Sequence, residues 1–380
     1  MKVGVLSMYY PSSHDPFFGT FVKDELDSLA DFVDIRLLSP FYNQYFLGED
    51  HSFTASHGYP VLRPFSPGFP QWFFQSLSTK SLSISISLVR EFFSGCDLIH
   101  AHNAFPDGVA AVTVLSRQYP IVVTVHGSDV NVNAMNPSLR PEIVRSLNSS
   151  SRILAVSGSL KNTLEEIGVT AKIEIIPNGV NTSLFTPGEK KEACRKLGFD
   201  PDCPRIIFIG NFLPVKGIEY LIGSFPAVLR SRPECELVLV GAKPGGKDSR
   251  AYQNQIRELG IGQQVRICEK VTNCNLPDWI RASDVLVLPS ISEGFGIVAV
   301  EALACGRPVV ATRCGGPEEI VKEGLGFIVP PRDPESLGDA IIKALDRRGI
   351  LGPEQLAESA RERFSLSEIS KRIVAVYEDV

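Results

Sequence analysis

The sequence has no C-x-x-C pair among its eight cysteines, so the tight ligand spacing of a zinc knuckle is missing. The thiols stand at positions 96, 194, 203, 235, 268, 274, 305 and 314, some inside apolar runs such as Val265–Cys268. They read as reduced cytosolic thiols rather than as a disulfide framework. There is no charge excess either. Lys and Arg total 38 against 43 Asp and Glu, a net charge of -5, which argues against a chain built to wrap nucleic acid. No stretch approaches the roughly 20 consecutive apolar residues of a membrane span, although peripheral membrane contact stays open. The opening Met1–Met8 is too short for a signal peptide and runs into polar turn residues, so a cytoplasmic location is expected. It reads as a first strand, and no G-x-G-x-x-G follows it, which sets NAD-dependent dehydrogenases aside.

What is present is a chain of 380 residues, 44% hydrophobic and 21% charged, long enough at roughly 100–200 residues per domain for two or three buried cores. Apolar runs alternate with amphipathic stretches throughout. That is the pattern of βαβ units around parallel sheets, and the fold class is α/β. Strands are expected at 2–8, 33–38, 98–102, 121–125, 153–156 and 173–176, then in a second series at 206–209, 237–240, 265–267, 285–288, 309–311 and 327–329. Between the two series lie Pro177-Asn178-Gly179-Val180 and Phe185-Thr186-Pro187-Gly188, followed by a polar helix at 190–197. A linker there gives domains at 1–185 and 188–364. Residues 1–185 carry 28 charged side chains against 53 in 186–380, so the first domain is the poorer in charge.

Two aromatic clusters stand in that first domain, Phe41, Tyr42, Tyr45 and Phe46, then Phe65, Phe69, Trp72, Phe73 and Phe74. They suit the packed core of a lid or insertion. An apolar acceptor cleft or a bilayer contact is the functional alternative. Ser81–Leu88 alternates like a strand, yet leads into a helix-like stretch, and periodicity leaves both readings open.

The chemistry is concentrated in Pro289–Pro308. A strand ends, a glycine-bearing turn follows, and an almost wholly apolar helix starts near Gly296 and stops at Gly306-Arg307-Pro308. Glu293 stands at the carboxyl end of a strand, where open α/β sheets hold ligands. Glu301 lies inside Ile-Val-Ala-Val-Glu-Ala-Leu-Ala, where a carboxylate loses hydration at a cost of several kcal/mol unless donors or a cation meet it. A ligand diol, or a buried Lys or Arg, is such a partner. The free N–H groups at the start of the helix form an anion site suited to a diphosphate.

Glu293 and Glu301, with seven residues between them, set in Ser-Glu-Gly-Phe-Gly and followed by Gly-Arg-Pro-Val-Val-Ala-Thr, resemble the E-x7-E signature of the retaining glycosyltransferases of family 4. Gly210–Gly217 resembles the G-R-L-x-x-x-K-G element of that family, Pro177–Pro187 its linker, and Thr124–Asp129 its T-x-H-G-x-D. The motifs span most of the chain in the family's order. The resemblance implies a GT-B fold, two Rossmann-like domains facing an interdomain cleft, with the C-terminal helix at about 365–380 packing back on the first domain.

It further implies that Glu293 bonds hydroxyls of the donor sugar, supported by backbone amides around Gly294, Phe295, Gly296 and Ile297. Glu301 would bond the nucleotide ribose, Lys216 would neutralise the diphosphate, and His126 would position the sugar. Gly19 resembles the glycine loop that approaches the phosphates, and His102 would line strand ends of the same domain. Asn211 stands where many members carry Arg, which leaves more of the leaving-group charge to Lys216 and the helix end. The one literal D-x-D, Asp200-Pro201-Asp202, reads as a polar turn, so no metal and no other cofactor is expected.

The implied activity is retaining transfer from a UDP- or GDP-sugar to a carbohydrate or lipid-linked acceptor, in cell-envelope, exopolysaccharide or glycolipid synthesis. A GT-B nucleotide-sugar epimerase, or a catalytically silent nucleotide-sugar binder, would share the fold.

Overall fold

The computed structural model describes residues 1–12, 15–40, 58–64, 66 and 75–380. The two aromatic clusters lie outside the described residues. The chain forms two compact units, Met1–Gly179 with Leu366–Val380, and Val180–Ser365. The division thus falls at Gly179–Val180, ahead of the expected boundary at 185.

Unit 1 is a seven-stranded parallel sheet of β1 (Lys2–Leu6), β2 (Asp34–Leu38), β3 (Val61–Leu62), β4 (Leu98–His102), β5 (Ile121–Val125), β6 (Arg152–Ala155) and β7 (Ile173–Ile175). Their spatial order is β3-β2-β1-β4-β5-β6-β7. β5 reads Ile-Val-Val-Thr-Val and is buried at every position, as a β-branched run in a sheet covered on both faces must be. β3 has only two residues, too short to leave an alternation in the sequence.

The stretch Ser81–Leu88 belongs to a helix, Gln75–Leu88. Leu82 and Ile86, one turn apart, are fully buried, while Ile84 and Leu88 are 63% and 82% exposed. The serine–aliphatic alternation therefore hid a 3.6-residue stripe.

The C-terminal helix Leu366–Glu378 belongs to unit 1 and completes its core with Ile369, Ile373, Val376 and Tyr377. Each is at most 4% exposed, and burial of such side chains contributes about 1.5–3 kcal/mol apiece before ordering costs.

Unit 2 repeats the plan with six parallel strands, β8 (Arg205–Ile209), β9 (Glu236–Val240), β10 (Val265–Cys268), β11 (Val285–Leu288), β12 (Val309–Thr312) and β13 (Gly326–Val329). The order is β10-β9-β8-β11-β12-β13. In both sheets the winding reverses beside the first strand, at β1/β4 and at β8/β11. Ligands of doubly wound sheets bind outside the carboxyl ends of the strands at such a reversal. Among the described residues no helix is long and apolar enough to cross a membrane, and all eight cysteines are free.

Candidate functional site

In unit 2 the reversal point carries the two groups singled out in the sequence. The loop after β8 ends in a short helical turn, Pro214–Lys216, and the loop after β11 leads to the helix Ile297–Ala304. Ile291 N–H donates to Val215 O at 2.8 Å and ties the loops together. Lys216 Nζ donates to Glu293 Oε2 at 2.6 Å, and Ser290 Oγ donates to the same oxygen at 3.1 Å. Both side chains keep an open edge, 24% exposed for Lys216 and 14% for Glu293.

Gly217 makes this approach possible. Its φ is +62°, and a Cβ there would stand 2.1 Å from Pro289 O, so any side chain would push the Lys216 turn off the loop that carries Glu293. The backbone of Glu293 is held from the far side as well. Its N–H donates to Cys314 O, and its carbonyl accepts from Gly316 N–H, each at 3.2 Å.

Gly294, Phe295 and Gly296 are buried, and Phe295 packs edge-on against Phe364 at 5.7 Å between centroids. Gly296 is the N-cap, with Ile297 first in the helix. The first N–H groups of that helix lack partners within it and, with its positive dipole end, favour an anion. Glu301 lies further along the same helix, 9% exposed. Asn211 stands exposed on the loop after β8 and brings no cation. Asp202 N–H donates to Asp200 Oδ1 at 3.0 Å, a local turn.

The other sequence-flagged residues belong to unit 1. Gly19 is the N-cap of the helix Thr20–Leu29 with φ +71°. A Cβ there would lie 2.3 Å from the backbone of Tyr9, so the packing of this turn on the strand-end loop itself requires glycine. His126 follows β5. Asp129 organises its turn, accepting from the N–H groups of His126, Gly127 and Val130 and from Ala104 N–H. Burial holds the imidazole of His126 down at about 4, with Asp129 and Asn178 pulling the other way. It is therefore neutral at pH 7.

Sequence reasoning did not single out Ser290 or Glu25. Ser290 has no spacing signal. Glu25 had one, because it shares the helical stripe of Val22, Leu26 and Leu29 and is buried with them.

A model described as glycosyl transferases group 1 matches residues 189–363, and one described as glycosyltransferase family 4 matches residues 19–184. D-inositol 3-phosphate glycosyltransferase 1 of Catenulispora acidiphila is 32% identical over 303 residues, 74% of this chain and 72% of that protein. The chain belongs to the group 1 glycosyltransferases.

A glycosyltransferase assigned to teichuronic acid biosynthesis in Bacillus subtilis, TuaC, is 28% identical across 100% of this chain and 99% of its own length. In structure, HepE of Anabaena, solved with UDP and glucose, aligns with a TM-score of 0.78 at 21% identity over the full length of both chains. The two Rossmann-like sheets of this group 1 glycosyltransferase are thus the GT-B fold, and the Lys216–Glu293 pair lies within the part matched by the group 1 model.

Proposed function

We propose that this glycosyltransferase moves a sugar from a nucleoside-diphosphate sugar to an acceptor hydroxyl with retention at the anomeric carbon and without a metal ion. The observation that carries the reading is the Lys216–Glu293 contact at the β8/β11 reversal, beside the N-terminus of the helix Ile297–Ala304. HepE has been solved with UDP-glucose, which supports a nucleotide sugar as the donor here.

In this reading Lys216 and the helix N-terminus face the diphosphate, Glu293 accepts from sugar hydroxyls, and Glu301 bonds the ribose. Asn211, Gly19 and the backbone of Gly294–Ile297 complete donor binding, and His126 positions the sugar. The bond from C1 to the diphosphate oxygen breaks through an oxocarbenium-like state while the acceptor oxygen bonds to C1 on the same face. The acceptor proton passes to the departing diphosphate. No side chain is needed as nucleophile. The chief catalytic task is stabilisation of the departing negative charge.

TuaC supports an acceptor in cell-envelope polysaccharide synthesis, and a carbohydrate or lipid-linked hydroxyl suits the same chemistry. The test is proton NMR of the anomeric signal during transfer or slow donor hydrolysis in EDTA. The expected product keeps the donor's anomeric configuration and forms at an unchanged rate with the chelator. Inversion would overturn the retaining step, and activity abolished by EDTA and restored by manganese would overturn metal independence.

A further inference from the structure

Behind His126, unit 1 buries a polar chain that none of these roles uses. His102 Nδ1 and His126 Nε2 are 3.2 Å apart. Their ring planes differ by 10° with centroids 5.4 Å apart, so the two imidazoles lie nearly end to end in one plane, the geometry of an N–H···N bond. On its other side, His102 Nε2 faces Glu25 Oε1 at 3.8 Å. Both atoms are buried without a hydrogen-bond partner. Glu25 is 4% exposed and His102 0%.

The surrounding titratable groups leave one arrangement of protons. His100 is fully engaged, its Nδ1 with Tyr377 Oη and its Nε2 with Thr124 Oγ1, both at 2.7 Å. Asp129 is committed to backbone N–H groups. Burial raises the Glu25 carboxyl to about 8, lowers His100 to about 3 and drives His102 well below its ordinary value. Glu25 is thus a neutral acid at pH 7, and its O–H has an unoccupied acceptor at His102 Nε2. A shift of about 1 Å brings the pair to hydrogen-bond distance. With Nε2 as acceptor, the His102 proton is on Nδ1 and is donated to His126 Nε2. The proton of His126 is then on Nδ1.

We propose that Glu25 and His102 are positioning residues that form a one-way hydrogen-bond relay, Glu25 to His102 to His126, and fix His126 as the neutral Nδ1–H tautomer. His126 Nδ1 is itself buried, and the Asn178 side chain hydrogen-bonds this ring. That N–H is therefore directed at Asn178 within unit 1, and the ring so fixed between His102 and Asn178 positions the sugar. This last step rests on the transferase reading above, whereas the relay rests on unit 1 alone.

The ligand atoms of Glu25, His100 and His102 lie within 4.8 Å of one another, which makes a metal ion the rival occupant. With both nitrogens of His100 engaged, only two donors remain, too few for a structural zinc site.

The test is long-range proton–nitrogen NMR of the full chain labelled with 15N-histidine, one of only six residues of its kind, the His126 signals being assigned by loss in His126→Gln. In the wild type at pH 7, His126 should show a protonated Nδ1 and an unprotonated Nε2. Glu25→Gln, whose amide N–H also donates to His102, should preserve this pattern, and Glu25→Leu should mix the tautomers. In turnover, Glu25→Leu should lower kcat about tenfold with the donor KM within about twofold, and Glu25→Gln should restore kcat. An Nε2–H tautomer of His126 in the wild type, a pattern unmoved by Glu25→Leu, or stoichiometric zinc retained on the purified protein would each overturn the relay. The expected tautomers in a wild type that turns over no nucleotide sugar would instead support the relay and overturn the transferase reading.

Discussion

Replacing Lys216 by alanine should lower kcat by about 10²–10³-fold, the loss of roughly 2.7–4 kcal/mol that follows removal of one preorganised partner of developing charge. Asn211 stands where a second cation would assist and carries no charge, so the side-chain cation proposed for the diphosphate is Lys216 alone. Its contact with Glu293 at 2.6 Å places the cation beside the carboxylate that would hold the sugar. On donor binding, the three N–H bonds of an ammonium can serve both groups. Steady-state kinetics of Lys216→Ala and Lys216→Arg check this, with arginine recovering part of the loss because it restores charge but not shape. Unchanged turnover in the alanine variant would remove Lys216 from the mechanism.

Glu25→Gln should stabilise the protein, and increasingly so as pH rises. In the unfolded chain this carboxyl ionises near its ordinary 4.5, whereas burial holds it protonated in the fold until about 8. The folded state therefore binds the extra proton across that window, and wild-type stability is lost as pH climbs through it. Glutamine keeps the shape and has no proton to lose. The advantage of the variant should grow from pH 4.5, level off above 8 and reach on the order of 4–5 kcal/mol. The buried histidines act in the opposite sense, since unfolding lets them charge as pH falls through 6.5, and they are common to both proteins. Urea unfolding at pH 5, 7 and 9 measures the difference. A gap between the proteins that stays constant with pH would show that Glu25 is ionised in the fold.

Much of this was legible in the sequence, and the reasons are particular. Strands such as β5 and β11 are β-branched or aliphatic runs bounded by turns, and sheets buried on both faces leave them no polar positions to obscure the pattern. The helix Lys190–Leu197 was bounded by its own residues, with Gly198 in the left-handed conformation closing it at φ +69°. Glu293 and Lys216 are far apart in the chain, yet each follows a strand, and the parallel topology brings both to one reversal point. Ser290 was not legible, because a serine at a strand end carries no signal for which carboxylate it meets. β3 was missed for its length, and the alternating serines of Ser81–Leu88 left strand and helix both open where the structure has the helix Gln75–Leu88. Glu25 is the instructive omission. A carboxylate at the centre of the stripe Val22, Leu26 and Leu29 is the anomaly that marks a buried polar partner, and here that partner is His102.

The most direct test of the central claim is a thermal-shift panel of UDP, GDP, ADP, CDP and TDP, each with magnesium and with EDTA, on wild type and Lys216→Ala. A diphosphate at about 100 times its Kd adds roughly 2.7 kcal/mol of stability, a readily seen rise in Tm. The Lys216–Glu293 account predicts a selective shift for one nucleotide, equal with magnesium and EDTA and reduced in the variant. No shift with any of the five, or one that requires magnesium and ignores Lys216, would contradict it.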